Sequence, residues 1–230
     1  MPAGRGFEAQ LRGAAHKTGE MAVIAEIKRR SPSKGLLAPN LDPAALAVAY
    51  AAGGATCLSV LTDGEHFDGS ASDLRTARDA VELPVLRKDF TVAALDVADA
   101  RLMGADACLL IVAALSPSDL ALLIGLAREL GIDALVECHD EADIERAVDA
   151  GATLVGVNQR DLVTFAVDAD RAERLAKLLP DHVVRVAESG VDGPKAYARL
   201  AAAGYHAVLV GEHLVRASDP TAVLQAMVAR

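Results

Sequence analysis

Charged and amide side chains recur at one kind of place in this chain, the end of a short apolar run. Glu26 and Lys28 close VIAEIK, Lys88 closes VLRK, and Glu137 closes ALVE. Asn158 and Arg160 follow LVGV, and Glu188, Ser189 and Gly190 follow VRVA. An ammonium and a carboxylate in one pocket can give and take a proton in the same turnover, and a guanidinium can clamp a carboxylate in bidentate fashion. Ser31 in the turn SPSKG, with the backbone donors of Ser189-Gly190 and Gly211-Glu212, suits a phosphate. Glu212 brings no positive charge, so Lys28 is the expected countercharge. The set describes a small ligand with a phosphate at one end and a carboxylate at the other.

Each of these residues also has a plain structural use. Glu26 and Lys28 could form a simple ion pair, Lys88 could snorkel, Glu137 could cap the next helix and Asn158 a turn. Gathered at one mouth, two carboxylates and two ammonium groups are costly unless they bind or react with something. Two lysines there are expected to lower each other's pKa, which would suit one of them as an acid near neutrality. The competing reading is a metal site. Glu137 and His139 are spaced i, i+2, while His66, His206 and His213 are scattered, so no triad at ligand spacing emerges and no metal is expected.

The elements that must bring these residues together follow one repeated unit: apolar strand, polar loop, Ala/Leu-rich helix, Gly, next strand. The helix-to-strand joint recurs as Gly54-Ala55-Thr56, Gly104-Ala105-Asp106, Gly131-Ile132-Asp133, Gly151-Ala152-Thr153 and Gly204-Tyr205-His206. A glycine just past a helix takes the left-handed conformation that ends it. Strands are expected at Ala22–Ile27, Cys57–Leu61, Val85–Arg87, Ala107–Val112, Ala134–Glu137, Leu154–Val157, Val183–Ala187 and Ala207–Val210. Helices are expected near 43–52, 71–80, 93–103, 117–130, 141–150, 169–178, 193–203 and 219–229. Asp42-Pro43, Ser116-Pro117 and Asp219-Pro220 supply N-caps with proline in the first turn. An open doubly wound sheet would carry GxGxxG in its first loop, and none is present. Eight units in 230 residues fit an α/β fold, a closed (β/α)8 TIM barrel, in a single domain over 21–230. Residues 1–20 form a short N-terminal extension with a helix around Phe7–Ala15.

Composition narrows the partners. The formal net charge of −9 argues against nucleic acid and against an anionic membrane surface. On that background Lys28, Arg29, Arg30 and Lys34 form a local basic cluster, so a small anion is the expected partner. No apolar run approaches the ~20 residues of a membrane span, and the first twenty residues lack the apolar stretch of a secretory signal. Cys57, Cys108 and Cys138 sit in or beside apolar runs without CxxC spacing and read as reduced core residues of a cytoplasmic protein.

Read in order, AEIKRRSPSKG, LSVLTDGEHFDGS, LPVLRKDF, ADACLLIVAAL, LVECHDEAD, GVNQRDLVTFAVD, VAESGV and VLVGEHLVRASDP resemble the successive motifs of the indole-3-glycerol-phosphate synthase family. The resemblance runs from about residue 7 to the C-terminus. It implies ring closure of 1-(2-carboxyphenylamino)-1-deoxyribulose 5-phosphate to indole-3-glycerol phosphate, with loss of CO₂ and water, in tryptophan synthesis. It implies Lys88 as general acid on the ribulose carbonyl, Glu137 in the acid–base step that completes dehydration, and Glu26 with Lys28 orienting the substrate. It further implies Asn158, Arg160 and Ser31 around the anthranilate ring and carboxylate, and Phe67 as an apolar wall. Glu188 would stand near the ribulose hydroxyls, and Ser189, Gly190 and Gly211 in the phosphate cradle. No cofactor is needed for this chemistry, and a monomer or weak homodimer is expected.

Two other readings compete. A phosphate-binding barrel isomerase acting on phosphoribosyl-anthranilate would not need Glu26 and Lys28 together with Lys88. A non-catalytic phosphate-ligand binder would have no use for Glu137. Two departures from the family concern enclosure of the mouth. The segment before strand one is short, where the family carries a longer one that helps cover the mouth. The loop Leu36–Asn40 also lacks the usual charges. Arg29–Asn40, with Gly35 as hinge, is therefore expected to be a mobile cover.

Overall fold

The computed structural model describes residues 3–18 and 21–228. Eight parallel strands close a barrel: β1 (Ala22–Ile27), β2 (Cys57–Leu61), β3 (Val85–Lys88), β4 (Ala107–Ile111), β5 (Asp133–Cys138), β6 (Leu154–Asn158), β7 (Val184–Glu188) and β8 (Ala207–Val210). Each strand pairs with its successor, and β8 closes onto β1 with Ala207 opposite Ala22. The expected TIM barrel is what forms.

The helices α2 (Pro43–Gly53), α3 (Ala71–Ala80), α4 (Ala94–Met103), α5 (Pro117–Glu129), α6 (Glu141–Asp149), α7 (Arg171–Ala176), α8 (Pro194–Ala202) and α9 (Pro220–Val228) follow the strands in turn. Their ends are set by local chemistry. Asp42 accepts hydrogen bonds from the amides of Ala44 and Ala45, Ser116 from that of Asp119, and Asp219 from that of Ala222. Gly54, Gly104, Gly131, Gly151 and Gly204 all have positive φ, so the chain leaves each helix directly into the next strand. The last residue of the expected C-terminal helix, Ala229, lies outside the described residues, as do Gly19 and Glu20 before β1.

Alternation within the strands separates two apolar layers. Ala22 and Ile24 of β1 belong to an inner cluster with Cys57, Leu86, Leu109, Leu135, Val186 and Leu209, whereas Val23, Ala25 and Ile27 pack outward against the helices. Glu26 continues the inward register of Ile24, so its carboxylate is directed to the barrel axis one step above the apolar layer. The strands also reach further than expected. Lys88, Asn158 and Glu188 are the last residues of β3, β6 and β7, because each still has a ladder partner: Leu61 opposite Lys88 and Asn158 opposite Glu188. β4 instead stops at Ile111, where Val112–Ala114 turns into a 3-10 helix.

The helix expected around Phe7–Ala15 forms and runs on to Thr18. α1 (Phe7–Thr18) lies against the N-terminal ends of the strands and closes the end of the barrel opposite the mouth. Phe7 and Leu11 are fully buried members of the inner cluster. The Arg5 amide donates to Asp106 and the Glu8 amide to Asp133, each at 2.8 Å, both acceptors standing just before or at the start of a strand. This helix is a floor for the barrel and no part of a cover. Phe7→Ala should therefore cost about 3–5 kcal/mol of stability, read as a lowered urea midpoint, while KM stays within twofold of the parent.

Candidate active site

The C-terminal strand ends surround a cavity of about 910 Å³. Every residue singled out from the sequence lines it: Glu26, Lys28, Ser31, Phe67, Lys88, Glu137, Asn158, Arg160, Glu188, Ser189, Gly190, Gly211 and Glu212. Lys88 is at the centre. Its Nζ stands 3.2 Å from Glu137 Oε2 and 3.5 Å from Glu188 Oε2. Asn158 Nδ2 donates to Glu137 Oε1 at 3.1 Å, and Asn158 Oδ1 accepts from the Arg160 amide at 2.9 Å, which fixes the carboxamide from both sides. Glu26 and Lys28 form their own pair, Oε1 to Nζ 2.5 Å, and Tyr50 braces that strand end by donating from its hydroxyl to the Glu26 carbonyl.

Two glycines make room for these groups. A Cβ on Gly211 would lie 2.3 Å from Glu26 Oε1 and 2.8 Å from Lys28 Nζ, so the pair rests directly on the loop after β8. A Cβ on Gly156, in the middle of β6, would lie 2.0 Å from Glu188 Oε1. The Glu188 carboxyl reaches the barrel axis only because β6 has no side chain at that position.

The electrostatics correct the expectation for the lysines. Burial pulls the Lys88 pKa down, but the carboxylates of Glu137, Glu188 and Glu26 outweigh it and hold the group above its ordinary value. Lys88 is thus kept as an ammonium by its anions and is not tuned toward neutrality by Lys28. The two glutamates beside it differ. Burial disfavours charge on Glu137, yet Lys88, His139 and Asn158 together hold it ionised, with its pKa below the ordinary value. Glu188, equally buried and facing Glu137 and Glu26, is pushed up to about 8 despite Lys88. One carboxylate and one carboxylic acid therefore flank the ammonium.

The local basic cluster does not act as a unit. Lys28 lines the cavity, but the Arg29 guanidinium holds both oxygens of Asp73 at 2.5 and 2.9 Å and also reaches the Leu41 carbonyl. Arg30 and Lys34 are exposed. The expected mobile cover has structure of its own: Arg30–Ser31 pairs antiparallel with Gly35–Leu36, and the amides of Leu37 and Ala38 bond back to the Arg29 carbonyl. Ser31 is buried inside that ribbon, its Oγ accepting from the Lys34 amide. Among the described residues no cluster of His, Cys, Asp and Glu has metal-holding geometry.

The indole-3-glycerol phosphate synthase family model matches residues 1–227. The chain belongs to that family. Membership makes it a decarboxylating carbon–carbon lyase of tryptophan biosynthesis, acting on a small phosphorylated substrate. The chain is 57% identical over 206 residues to the indole-3-glycerol phosphate synthase of Nocardioides sp., covering 90% of this chain and 79% of that one. It is 56% identical over 207 residues to that of Kineococcus radiotolerans, covering 90% and 76%, and 52% identical over 218 residues to that of Streptomyces griseus, covering 94% and 81%. Solved structures share the fold alone. The N-acetylmannosamine-6-phosphate 2-epimerase of Clostridium perfringens superposes with a TM-score of 0.66 at 14% identity, covering 85% of this chain and 88% of its own. A KDPGal structure superposes with a TM-score of 0.61 at 18% identity, covering 90% and 92%. Among the described residues no helix is long and apolar enough to cross a membrane.

Within this family member, the groups missed in the sequence are the ones that serve the charged residues. Leu61, Leu109, Ile111 and Leu209 form the cavity floor, and Phe90, Leu162 and Phe165 join Phe67 in its apolar wall. Gln159 is fully buried and donates to the Ser189 carbonyl at 2.6 Å, holding the loop after β7. The inward turn of Leu61 and Ile111 could have been read from strand alternation, whereas Gln159 left no signal because its partner is thirty residues away.

The Glu188 carboxyl makes a thermodynamic prediction. A carboxyl near 4.5 when unfolded and about 8 when folded takes up a proton on folding between those values, so stability is present below the unfolded pKa and is lost as pH rises toward the folded one. The thermal midpoint should fall as pH rises from about 5 to about 8, and Glu188→Gln, which mimics the neutral acid, should flatten that slope. Parallel slopes would mean Glu188 is ionised throughout.

Proposed function

We propose that the barrel mouth carries out the family's reaction, closing the indole ring of 1-(2-carboxyphenylamino)-1-deoxyribulose 5-phosphate with loss of CO₂ and water, and that Lys88 and Glu137 are its acid and acid–base partner. The observation behind this reading is the Lys88 ammonium held 3.2 Å from an ionised Glu137 inside the cavity. Ring closure needs a proton on the ribulose carbonyl as the aromatic carbon attacks it. Lys88 carries that proton because its acidic neighbours hold its pKa above the ordinary value, and the growing alkoxide would draw it across. Once the carboxylate has left as CO₂ and the ring must lose water, Glu137 can take up a proton that the intermediate sheds.

The remaining roles follow from position. Lys28 sits against Gly211, beside the loops whose backbone donors would cradle the phosphate. Ser189 and Gly190 both have positive φ (64° and 70°), a bend that turns successive amides to one side. Arg160, whose Nη1 donates to the Phe165 carbonyl at 3.0 Å, stands at the apolar wall and would meet the anthranilate carboxylate there, with Ser31 and Asn158 beside it. Glu188 as a neutral acid can donate to a ribulose hydroxyl, and Glu26 holds Lys28 in place. Phe67 stacks its ring along the substrate's apolar side, and Glu212 bounds the phosphate end, its own charge met by Arg216 at 3.1 Å. Residues 21–230 would be the catalytic domain and 1–20 an extension, in a monomer or weak homodimer. The three cysteines are free and buried, in keeping with a cytoplasmic setting.

Purified protein should form indoleglycerol phosphate without added metal or nucleotide. The chain has no Trp, so indole fluorescence will appear over a weak background. Failure to form product, or loss of activity in EDTA, would overturn the reading. Lys88→Met should lower kcat roughly 10²–10⁴-fold, because it removes a proton donor used in the transition state. Arg160→Ala should act mainly on KM, since a carboxylate clamp binds ground state and transition state alike. The reverse pattern would exchange the two roles.

A further inference from the structure

Glu137 and Glu188 stand at nearly equal distances, 3.2 and 3.5 Å, from the same ammonium, but their other neighbours differ. Something on the Glu137 side must break the symmetry. Asn158 is one such group, and it is neutral. The other is His139, two residues along the same strand end, which is not among the residues lining the cavity. Its Nε2 lies 3.4 Å from Glu137 Oε1 and its Nδ1 3.7 Å from Asp143 Oδ2. Both ring nitrogens are buried without a partner at ordinary hydrogen-bond distance, and the two carboxylates are the charged groups that face them.

Asp143 is itself held firmly. It lies in the first turn of α6, its amide donates to the cap residue Asp140, and its Oδ2 accepts from the His139 amide at 3.0 Å. The Arg146 guanidinium is 3.8 Å from its other oxygen. Arg146 in turn donates to the Leu115 carbonyl at 2.5 Å, which ties α6 to the loop after β4. Asp143, on a helix outside the barrel, is thereby connected through one imidazole to a carboxylate inside it.

We propose that His139 is a positioning residue for the reaction: set between the Glu137 and Asp143 carboxylates, 3.4 and 3.7 Å from them, it aims Glu137 at Lys88 and the cavity. The other groups facing the pair are Lys88 from β3, Glu26 from β1 and Asn158 from β6. Lys88 serves both glutamates and cannot choose between them. The inference rests on Glu137 being the acid–base partner.

The test is the pH dependence of kcat and KM for wild type, Glu137→Gln, His139→Gln and Asp143→Asn. His139→Gln should lower kcat about tenfold and move its acid limb up by about one pH unit, the same factor read on the pH axis. KM should stay within twofold, because the ring does not touch the cavity. Asp143→Asn should shift the limb in the same direction by less. An unmoved limb with full kcat in His139→Gln overturns the proposal, and so does a raised KM with an unmoved limb. Should that variant fail to fold, ¹⁵N-histidine NMR of the Glu137→Gln protein replaces it: the His139 ring signals must change relative to wild type, and identical signals overturn the bridge. If Glu137→Gln keeps full activity, the acid–base reading itself falls, an outcome distinct from the failure of His139 alone.

Discussion

One ammonium group holds the mouth of this barrel together. Lys88 stands among Glu137, Glu188 and Glu26, all buried, and an isolated buried carboxylate would cost several kcal/mol. Without the lysine the three would repel one another and draw water into the top of the barrel. With it, Glu137 stays charged and Glu26 pairs with Lys28, while burial and the neighbouring acids push the Glu188 pKa up despite the lysine. The lysine makes the cluster tolerable, and the neighbours that differ between the two glutamates set them apart. Stability and chemistry are therefore two aspects of one charge arrangement.

The barrel gives that arrangement a place to exist. Its interior is apolar from Phe7 and Leu11 at the floor up to Leu109 and Leu209, and becomes charged only in the last layer before solvent. The charges are far enough inside to be desolvated and near enough to the mouth to meet a substrate. Gly156 and Gly211 supply the space in which the carboxyls of Glu188 and Glu26 turn inward. Side chains at either position would push the acids out of line, so these two absences of a Cβ shape the site as much as the charged groups do.

Around this layer the contacts grow more structural with distance. Gln159 ties the loop after β7 to that after β6, and the Arg29–Asp73 pair ties the ribbon bearing Ser31 to α3. At the far end, α1 seals the floor through buried aromatic and aliphatic side chains and a few amide-to-carboxylate bonds. Conserving the shape of the mouth thus depends on residues that never touch a substrate.

The linear sequence by itself determined the elements and the chemistry available to them. Period-two alternation in β1, the glycine after five of the helices and the Asp or Ser before Pro43, Pro117 and Pro220 are local effects, and each acts within a few residues of its own position. The types Glu26, Lys28, Lys88, Glu137, Asn158, Arg160 and Glu188 at strand ends were legible for the same reason, since parallel strands in a closed barrel all finish at one rim. What only the tertiary structure decided is who faces whom. That Lys88 is kept charged by three acids, contrary to mutual lowering between lysines, depends on distances between β1, β3, β5 and β7. That α1 is a floor and that Arg29 turns away to Asp73 are likewise contacts between segments far apart in the chain. Electrostatic energy depends on separations of a few ångströms, and those are set by how the barrel closes, which no local run of residues contains.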